Sequence, residues 1–313
     1  RMGIRHWLGP LTLSRAAAQL NEIIAEVQPD IIHAMRVPYE GMLAAAAKQL
    51  NPETFPPLLI SIWGNDFTLH APSSPLMRHY TRIALRAADA LHADCERDIR
   101  LAAQWGFDAS HPSIVLPGGG GIDQSLFYPP AEEANEPLVI NPRGFRGYVR
   151  NDTFFKSIPL VLKERPDVKF ICPTMAGEAQ AEEWIRKLGI GDAVTLTPPL
   201  KREQLADAFR AAQVLVSPST HDGTPNSLIE GMACGCFPIA GDLESIREWI
   251  QPNVNGLLID PSDERGLADA ILHALNDDNL RWQALIENQE IIASRAEYKH
   301  SMAQAEAFYQ KVT

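Results

Sequence analysis

The segment from Val216 to Ile250 carries the residues with the most evident chemistry. Seven residues separate two acids, Asp222 and Glu230, and a run of Gly, Thr, Pro, Asn and Ser lies between them. A carboxylate can accept two hydroxyl groups of a sugar, so two acids at a fixed interval could hold a polyhydroxyl ligand. The alternative is a strand, a turn and a helix with incidental acids.

The elements around these acids would position them. A strand is predicted over 212–217, and a helix is predicted to begin at Pro225 and Asn226, because Pro is favoured in a first helical turn and Asn can satisfy open N–H groups there. A helix N-terminus that follows a strand attracts anions. Glu230 would lie one turn into the helix, where it could hold a ribose, and Asp222 would stay on the loop. The pattern predicts a sugar-nucleotide site.

The order of these residues resembles the signature of the retaining family-4 glycosyltransferases, which have the GT-B fold. The matching positions are Asp222, Gly223, Pro225, Asn226, Ser227, Glu230, Ala233, Gly235 and Pro238. Asp222 departs from the family, which more often has Glu there. The resemblance implies an α/β fold of two Rossmann-like domains that face each other across a cleft, with the first domain incomplete.

Short apolar strands alternate with helical patterns, as expected for parallel sheets covered on both faces. Ten strands are predicted, near 30–34, 58–63, 88–93, 113–116, 138–141, 169–172, 193–196, 214–217, 237–240 and 257–259. An acidic, proline-flanked linker over 129–136 would separate an acceptor-side domain (1–128) from a donor-binding domain (137–295). The resemblance implies that a C-terminal helix over 296–313 packs back on the first domain, with Tyr298, Met302, Ala305 and Phe308 on one side.

Composition limits the function. The net charge of −11 disfavours nucleic-acid partners, whose binding depends on neutralising phosphates. No apolar run reaches the roughly 18 residues of a membrane span. The four cysteines, at 95, 172, 234 and 236, form neither a zinc motif nor a disulfide framework, which favours a cytoplasmic location.

Two loops could bind phosphate. Arg143, Arg146 and Arg150 follow the first strand of the second half, and the resemblance gives donor-binding roles to Arg143 and Arg150. Gly118 to Gly121 precede the linker. They could form a nest of N–H groups that binds phosphate, or serve as a hinge with close approach to the ligand, and the hinge is favoured. The remaining donor-binding residues implied by the resemblance are Gly223, Thr224, Pro225, Asn226, Ser227, Leu228 and Glu230.

Residues at strand ends in the first half are candidates for acceptor contact. Asp66 either orients the acceptor hydroxyl, which makes it catalytic together with Asp222, or caps the next turn. His33 matches a strand-end histidine of the family and is assigned with Gly120 and Gly121 to the acceptor or phosphate loop. The alternative for His33 is a hydrogen-bonded core histidine, which is favoured.

The beginning of the chain raises a question, because residue 1 is Arg and the family's first strands are not found before Asp30. We expect a trimmed chain or fragment, a naturally minimal enzyme, or a sheet edge at Asp30 that a partner chain completes. Arg78, Arg82 and Arg86 share one helix face. A solvated face is favoured there over contact with an anionic membrane.

The resemblance implies a metal-independent, cofactor-free enzyme that transfers a sugar, with retention, from a UDP-sugar or related nucleotide sugar to a hydroxyl group. The acceptor would be a carbohydrate, a lipid or a small molecule. The alternatives are a non-catalytic nucleotide-sugar binder and a related GT-B enzyme, such as a sugar-nucleotide epimerase or a phosphorylase. An epimerase should lack the Gly-Thr-Pro-Asn-Ser run, and a phosphorylase would need a pyridoxal-binding lysine.

Overall fold

A computed structural model describes residues 13–131 and 136–313. The chain divides into two compact units. The first contains the residues up to Gly118 together with His300–Thr313, and the second contains Gly119–Lys299. The second unit is therefore one continuous stretch of chain.

The first unit contains four parallel strands in the order β1-β2-β3-β4. They are β1 (Ile32–Ala34), β2 (Leu58–Ile62), β3 (Ala90–Ala93) and β4 (Ser113–Val115). The helices between them are α1 (Leu13–Val27), α2 (Met42–Leu50), α3 (Pro75–Ala87) and α4 (Glu96–Trp105). The four predicted strands are confirmed, and among the described strands β1 pairs with β2 alone, so it lies at an edge of this sheet.

An irregular turn precedes helix α2. Tyr39 has a positive φ of 66° and Pro38 an extended ψ of 128°, and neither conformation is that of a right-handed helix. The turn brings the chain from the carboxyl end of β1 to the first residue of α2, Met42.

The core of the first unit lies on both faces of its sheet, as expected for a parallel sheet. Strand β2 is buried along its whole length. Leu58, Ile60 and Ile62 pack on one face, in a cluster with residues of α2 and α3. On the other face, Leu59 and Ala90 pack against Phe308.

Phe308 belongs to the last helix of the chain, α11 (Tyr298–Val312). The predicted apolar face of this helix was partly wrong, because Tyr298 and Met302 are 44% and 43% exposed. The buried residues are Ser301 and Phe308. The helix therefore packs through a face that contains Ser301 in place of its neighbour Met302.

The second unit contains six parallel strands in the order β10-β9-β8-β5-β6-β7. They are β5 (Leu138–Ile140), β6 (Lys169–Cys172), β7 (Val194–Leu196), β8 (Val214–Ser217), β9 (Phe237–Gly241) and β10 (Leu257–Ile259). The helices are α5 (Asn151–Glu164), α6 (Ala179–Leu188), α7 (Arg202–Ala211), α8 (Asn226–Ala233), α9 (Glu264–Asn276) and α10 (Asp278–Arg295). The six predicted strands are confirmed.

Two further expectations concern surfaces. Arg78, Arg82 and Arg86 are all exposed on α3, and Arg82 lies over the ring of Trp105 at 5.5 Å. None of the three has an ion-pair partner among the described residues. No helix in the described ranges combines the length and the apolar character needed to cross a bilayer.

Candidate active site

The candidate site begins at the point where the strand order of the second sheet reverses. From β5 the chain continues through β6 and β7 on one side, and then β8 pairs with β5 on the other side. In open α/β sheets, ligands bind outside the carboxyl ends of the strands at such a switch point. The loops after β5 and β8 carry Arg143 and Asp222, so the topology brings these two distant residues together.

Arg143 connects the two loops directly. Its Nη2 donates to Oδ2 of Asp222 at 2.5 Å, and its Nη1 donates to Oγ of Ser227 at 3.2 Å. The loop backbone is also fixed at this point, because the Arg143 backbone N–H donates to Oδ1 of Asn141. Its Nε is buried and has no acceptor among the described residues. The arginine side chain is 7% exposed and the aspartate 13%, so the pair is shielded from water.

The N-terminus of α8 lies beside this pair. Pro225 is the residue before the helix, and no side chain caps the helix start. In the described chain, the backbone N–H groups of Asn226 and Ser227 have no protein acceptor, since the first N–H to Pro225 comes from Leu228. Free N–H groups and the helix dipole together favour an anion at this position.

Glu230 is one turn further along α8. Its side chain is half-buried, and within the described residues its carboxylate accepts no hydrogen bond and forms no ion pair. Burial raises the pKa of Glu230, and the nearby Arg202 cation partly opposes that effect. A half-buried carboxylate without a hydrogen-bond donor from the described protein is suited to accept ligand hydroxyl groups.

Other predicted donor residues have structural roles. The side chain of Leu228 is fully buried in the core of the second unit, and the donor-binding role predicted for this residue stays a prediction. Thr224 is 4% exposed and accepts a hydrogen bond from the Trp249 indole. Gly223 is also buried. These residues shape the loop before α8, and the sequence pattern did not separate them from exposed ones.

Arg150 forms its own ion pair. Its Nε and Nη2 donate to the two carboxylate oxygens of Asp152, each at 2.8 Å, and its Nη1 donates to Ser262. Asp152 and Ser262 are its partners among the described residues, and the donor-binding role predicted for Arg150 stays a prediction. Asp152 follows two residues later in the sequence, which was an available sign of this pairing.

The glycine-rich segment has tight packing at two positions. A Cβ added to Gly118 would lie 2.2 Å from the Trp63 ring, and one added to Gly119 would lie 2.8 Å from the amide of Asn226. Gly120 and Gly121 have φ values of +81° and +94°, which favour glycine. Close approach thus explains the first two glycines, and backbone conformation explains the next two.

In the first unit, the Asp66 carboxylate is fully buried and has three protein partners. Its side chain has no exposed surface, pairs with Arg36 at 2.6 Å, and accepts the backbone N–H groups of Val37 and Trp63. Burial raises the pKa of Asp66 to about 6, although Arg36 and the two N–H groups act in the opposite direction. The carboxylate therefore holds the backbone at Val37 and Trp63 in place, and the catalytic role predicted for Asp66 stays a prediction.

His33 belongs to a hydrogen-bonded chain that crosses three strand ends. The carbonyl of Leu116 can only accept, so the neutral His92 ring donates to it through Nε2 at 3.2 Å. His92 Nδ1 then accepts from Ser61 Oγ (2.9 Å), which accepts from His33 Nε2 (2.8 Å). The remaining His33 nitrogen, Nδ1, accepts from the Tyr309 hydroxyl at 2.5 Å. The direction of every bond follows from one carbonyl, and this is the satisfied arrangement favoured from the sequence.

The hydrogen-bonded series that contains His33 predicts a pH dependence of stability. Burial, and second the His92 ring, lower the pKa of His33 to about 4 from its ordinary 6.5. The unfolded chain therefore binds the extra proton first, and stability is lost as the pH falls from 6.5 towards 4. We expect His33→Gln to remove about 1 kcal/mol of the loss between pH 7.5 and 5, or about 2–4 °C in Tm, after allowance for the partial exposure of the ring.

Thermal unfolding of both proteins at pH 7.5, 6 and 5 measures this effect. His79→Gln, at an exposed histidine on α3, is the matched control and should keep the wild-type pH dependence. An identical pH dependence in His33→Gln and wild type would contradict the assignment of the neutral ring.

One group of side chains in the first unit has metal-ligand chemistry. Ligand atoms of Asp94, Cys95 and Asp98 lie within 4.8 Å of one another and are buried. Arg97 pairs with Asp98 at 2.8 Å, so a protein cation already balances charge there. The cluster adds no residue to the candidate site of the second unit.

A comparison with known protein families identifies the family of this chain. The family described as glycosyl transferases group 1 matches residues 126–290, which is more than half of the chain. The chain belongs to this family. A second description, glycosyl transferase 4-like, matches residues 3–94. Both matches confirm the family resemblance inferred from the segment around Asp222.

Similar sequences and similar solved structures agree with this family assignment. D-inositol 3-phosphate glycosyltransferases from Mycolicibacterium smegmatis and Xylanimonas cellulosilytica are 28% and 27% identical over 66% and 62% of this chain. The matched part spans about half, 50%, of the length of each. Sucrose-phosphate synthase from Thermosynechococcus elongatus superposes with a TM-score of 0.80 at 21% identity, over 97% of this chain and 78% of the other. Anabaena HepE in complex with UDP-glucose gives 0.79 at 18% identity, over 94% and 82%. The fold is GT-B.

Proposed function

We propose that this glycosyltransferase-family protein transfers a sugar from a nucleoside-diphosphate sugar, with UDP as the nucleotide, to a hydroxyl acceptor with retention of configuration. One observation carries the proposal. Arg143 contacts both Asp222 and Ser227 beside two backbone N–H groups that have no protein acceptor. A cation and a helix N-terminus at one point suit a diphosphate.

The placement of Glu230 supports a nucleotide rather than a simple anion. Its carboxylate follows the helix start by one turn and has no hydrogen-bond donor in the described protein. A ribose bonded to the bound diphosphate would bring two hydroxyl donors to it. The same spacing leaves Asp222 on the loop, towards the sugar end of the donor.

The proposed reaction needs little covalent chemistry from the protein. The bond between the sugar C1 and the diphosphate oxygen breaks, and the acceptor oxygen bonds to C1 on the same face. The acceptor proton goes to the departing phosphate oxygen. Arg143 and the start of α8 would stabilise the negative charge that develops on the diphosphate, which is where such sites lower the barrier most.

The names of relatives suggest first substrates. Several relatives are named D-inositol 3-phosphate glycosyltransferase, and HepE was solved with UDP-glucose. We therefore propose UDP-glucose as the first donor to test and a phosphorylated polyol as the first acceptor. Carbohydrate and lipid hydroxyls are the next acceptors.

Thermal stability in the presence of nucleotides tests the donor. A ligand that binds only the folded state stabilises it by about 2.7 kcal/mol at a hundredfold excess over Kd. We expect UDP and UDP-glucose to raise Tm and AMP to leave it unchanged, with GDP-mannose as the test of guanosine. A protein whose Tm responds to no nucleotide would contradict the proposal.

Product analysis tests the reaction. Transfer from UDP-glucose should release UDP only with an acceptor present, the NMR spectrum of the product should show the donor's anomeric configuration, and chelation of metals should leave the rate unchanged. Firm binding without transfer to any acceptor would instead identify a non-catalytic binder. An inverted product would contradict the front-face reaction.

A further inference from the structure

A short segment after β9 holds the loop that carries Asp222. The Ser245 hydroxyl donates to the Asp222 carbonyl oxygen at 2.7 Å. The Trp249 indole N–H donates to Oγ1 of Thr224 at 2.8 Å. The two donors flank a single 3-10 turn, Ile246–Glu248, so one rigid element holds the loop on both sides of Gly223.

These contacts are shielded from solvent. Ser245 is fully buried, and Thr224 and Trp249 are 4% and 5% exposed. A hydrogen bond in such surroundings is stronger than in water, and a group left without its partner is costly. The contacts therefore fix the loop backbone independently of Arg143, which holds the Asp222 carboxylate.

The orientation of the indole is itself fixed. The Arg295 guanidinium lies 4.3 Å from the centre of the Trp249 ring, and it donates to the Glu248 carbonyl. The ring is thus held on its face by a cation and at its edge by Thr224. A phenylalanine would keep the first contact and lose the second.

We propose that Ser245 and Trp249 are positioning residues that set the direction of the free N–H groups at the start of α8. The inference rests on the proposed function. Asp222 and Thr224 precede Asn226 by four and two residues, so a shift of the loop moves the helix start, whereas Glu230 lies a full turn inside the helix. Loss of either hydrogen bond should weaken binding of the diphosphate and leave binding of the ribose unchanged.

The test compares UDP with UMP by calorimetry, or GDP with GMP if the wild type selects guanosine. Trp249→Phe and Ser245→Ala should each weaken UDP binding about tenfold, the effect of one lost hydrogen bond, and change UMP binding less than about twofold. The matched controls are Trp282→Phe and Ser294→Ala, at exposed residues of the same unit. Both controls should retain wild-type affinities.

Two results for the variants would overturn the proposal. One is unchanged UDP affinity in both variants. The other is a parallel loss of UDP and UMP affinity together with a lower Tm, since a purely structural role affects both ligands alike. A wild type that binds none of the nucleotides would overturn the proposed function and this inference with it.

Discussion

Glu230→Gln is expected to weaken binding of UDP-glucose about tenfold to a hundredfold, because hydrogen bonds to a charged group contribute about 1.5–3 kcal/mol. The wild-type carboxylate can accept two ribose hydroxyls, whereas the amide offers one acceptor oxygen and presents N–H groups to the other hydroxyl. Isothermal titration calorimetry with UDP-glucose and UMP measures the change. Both ligands carry the ribose, so both should lose affinity.

The same variant should alter the pH dependence of binding. Burial raises the pKa of Glu230, so wild-type affinity should fall on acidification at a higher pH than an ordinary glutamate would cause. The Gln variant should lack that fall. Glu290→Gln, at an exposed glutamate of α10, is the matched control. Wild-type donor affinity in Glu230→Gln would contradict the ribose assignment.

Arg143→Lys should lower kcat about a hundredfold to a thousandfold, the range seen when one donor to a developing negative charge is removed. Lysine keeps the charge but cannot contact Asp222 and Ser227 through two nitrogens of a planar group, as Arg143 does. The lysine variant is preferred to alanine, since removal of one partner from a shielded ion pair destabilises the fold. Initial rates with UDP-glucose at saturating donor measure the effect.

Arg150→Lys is the matched comparison. Its guanidinium pairs with Asp152, which lysine can also do, so we expect less than about a threefold change in kcat. A larger loss in Arg150→Lys than in Arg143→Lys would contradict the structural assignment of the two arginines. It would favour the assignment made from family resemblance.

The sequence predicted the strands and helices of the second unit well because that information is local. Pro225 and Asn226 mark the start of a helix after an apolar strand, and each strand has a distinct apolar run. The pairing of β5 with β8, which brings Arg143 to Asp222, follows from the order of strands in the sheet. The sequence alone does not give that order, and only the family resemblance suggested it.

Other contacts were not predictable because the partners are distant in sequence. Asp66 resembled a strand-end acid open to a ligand, but Arg36, thirty residues earlier, pairs with it. The supports from Ser245 and Trp249 were not predicted, since nothing in their spacing indicates a hydrogen bond to residues more than twenty positions away. On α11, helical periodicity gave the correct element but a face displaced towards Tyr298 and Met302.

The continuity of the second unit has a consequence for evolution and engineering. Residues 119–299 form an uninterrupted insert within a first unit that is assembled from both sides of it. A single recombination event with two crossovers could therefore exchange the second unit as a cassette and retain the first unit. Deletion of the final fourteen residues would instead damage the first unit. It would remove Phe308 from its contact with Leu59 and Ala90 and expose an apolar surface that favours aggregation.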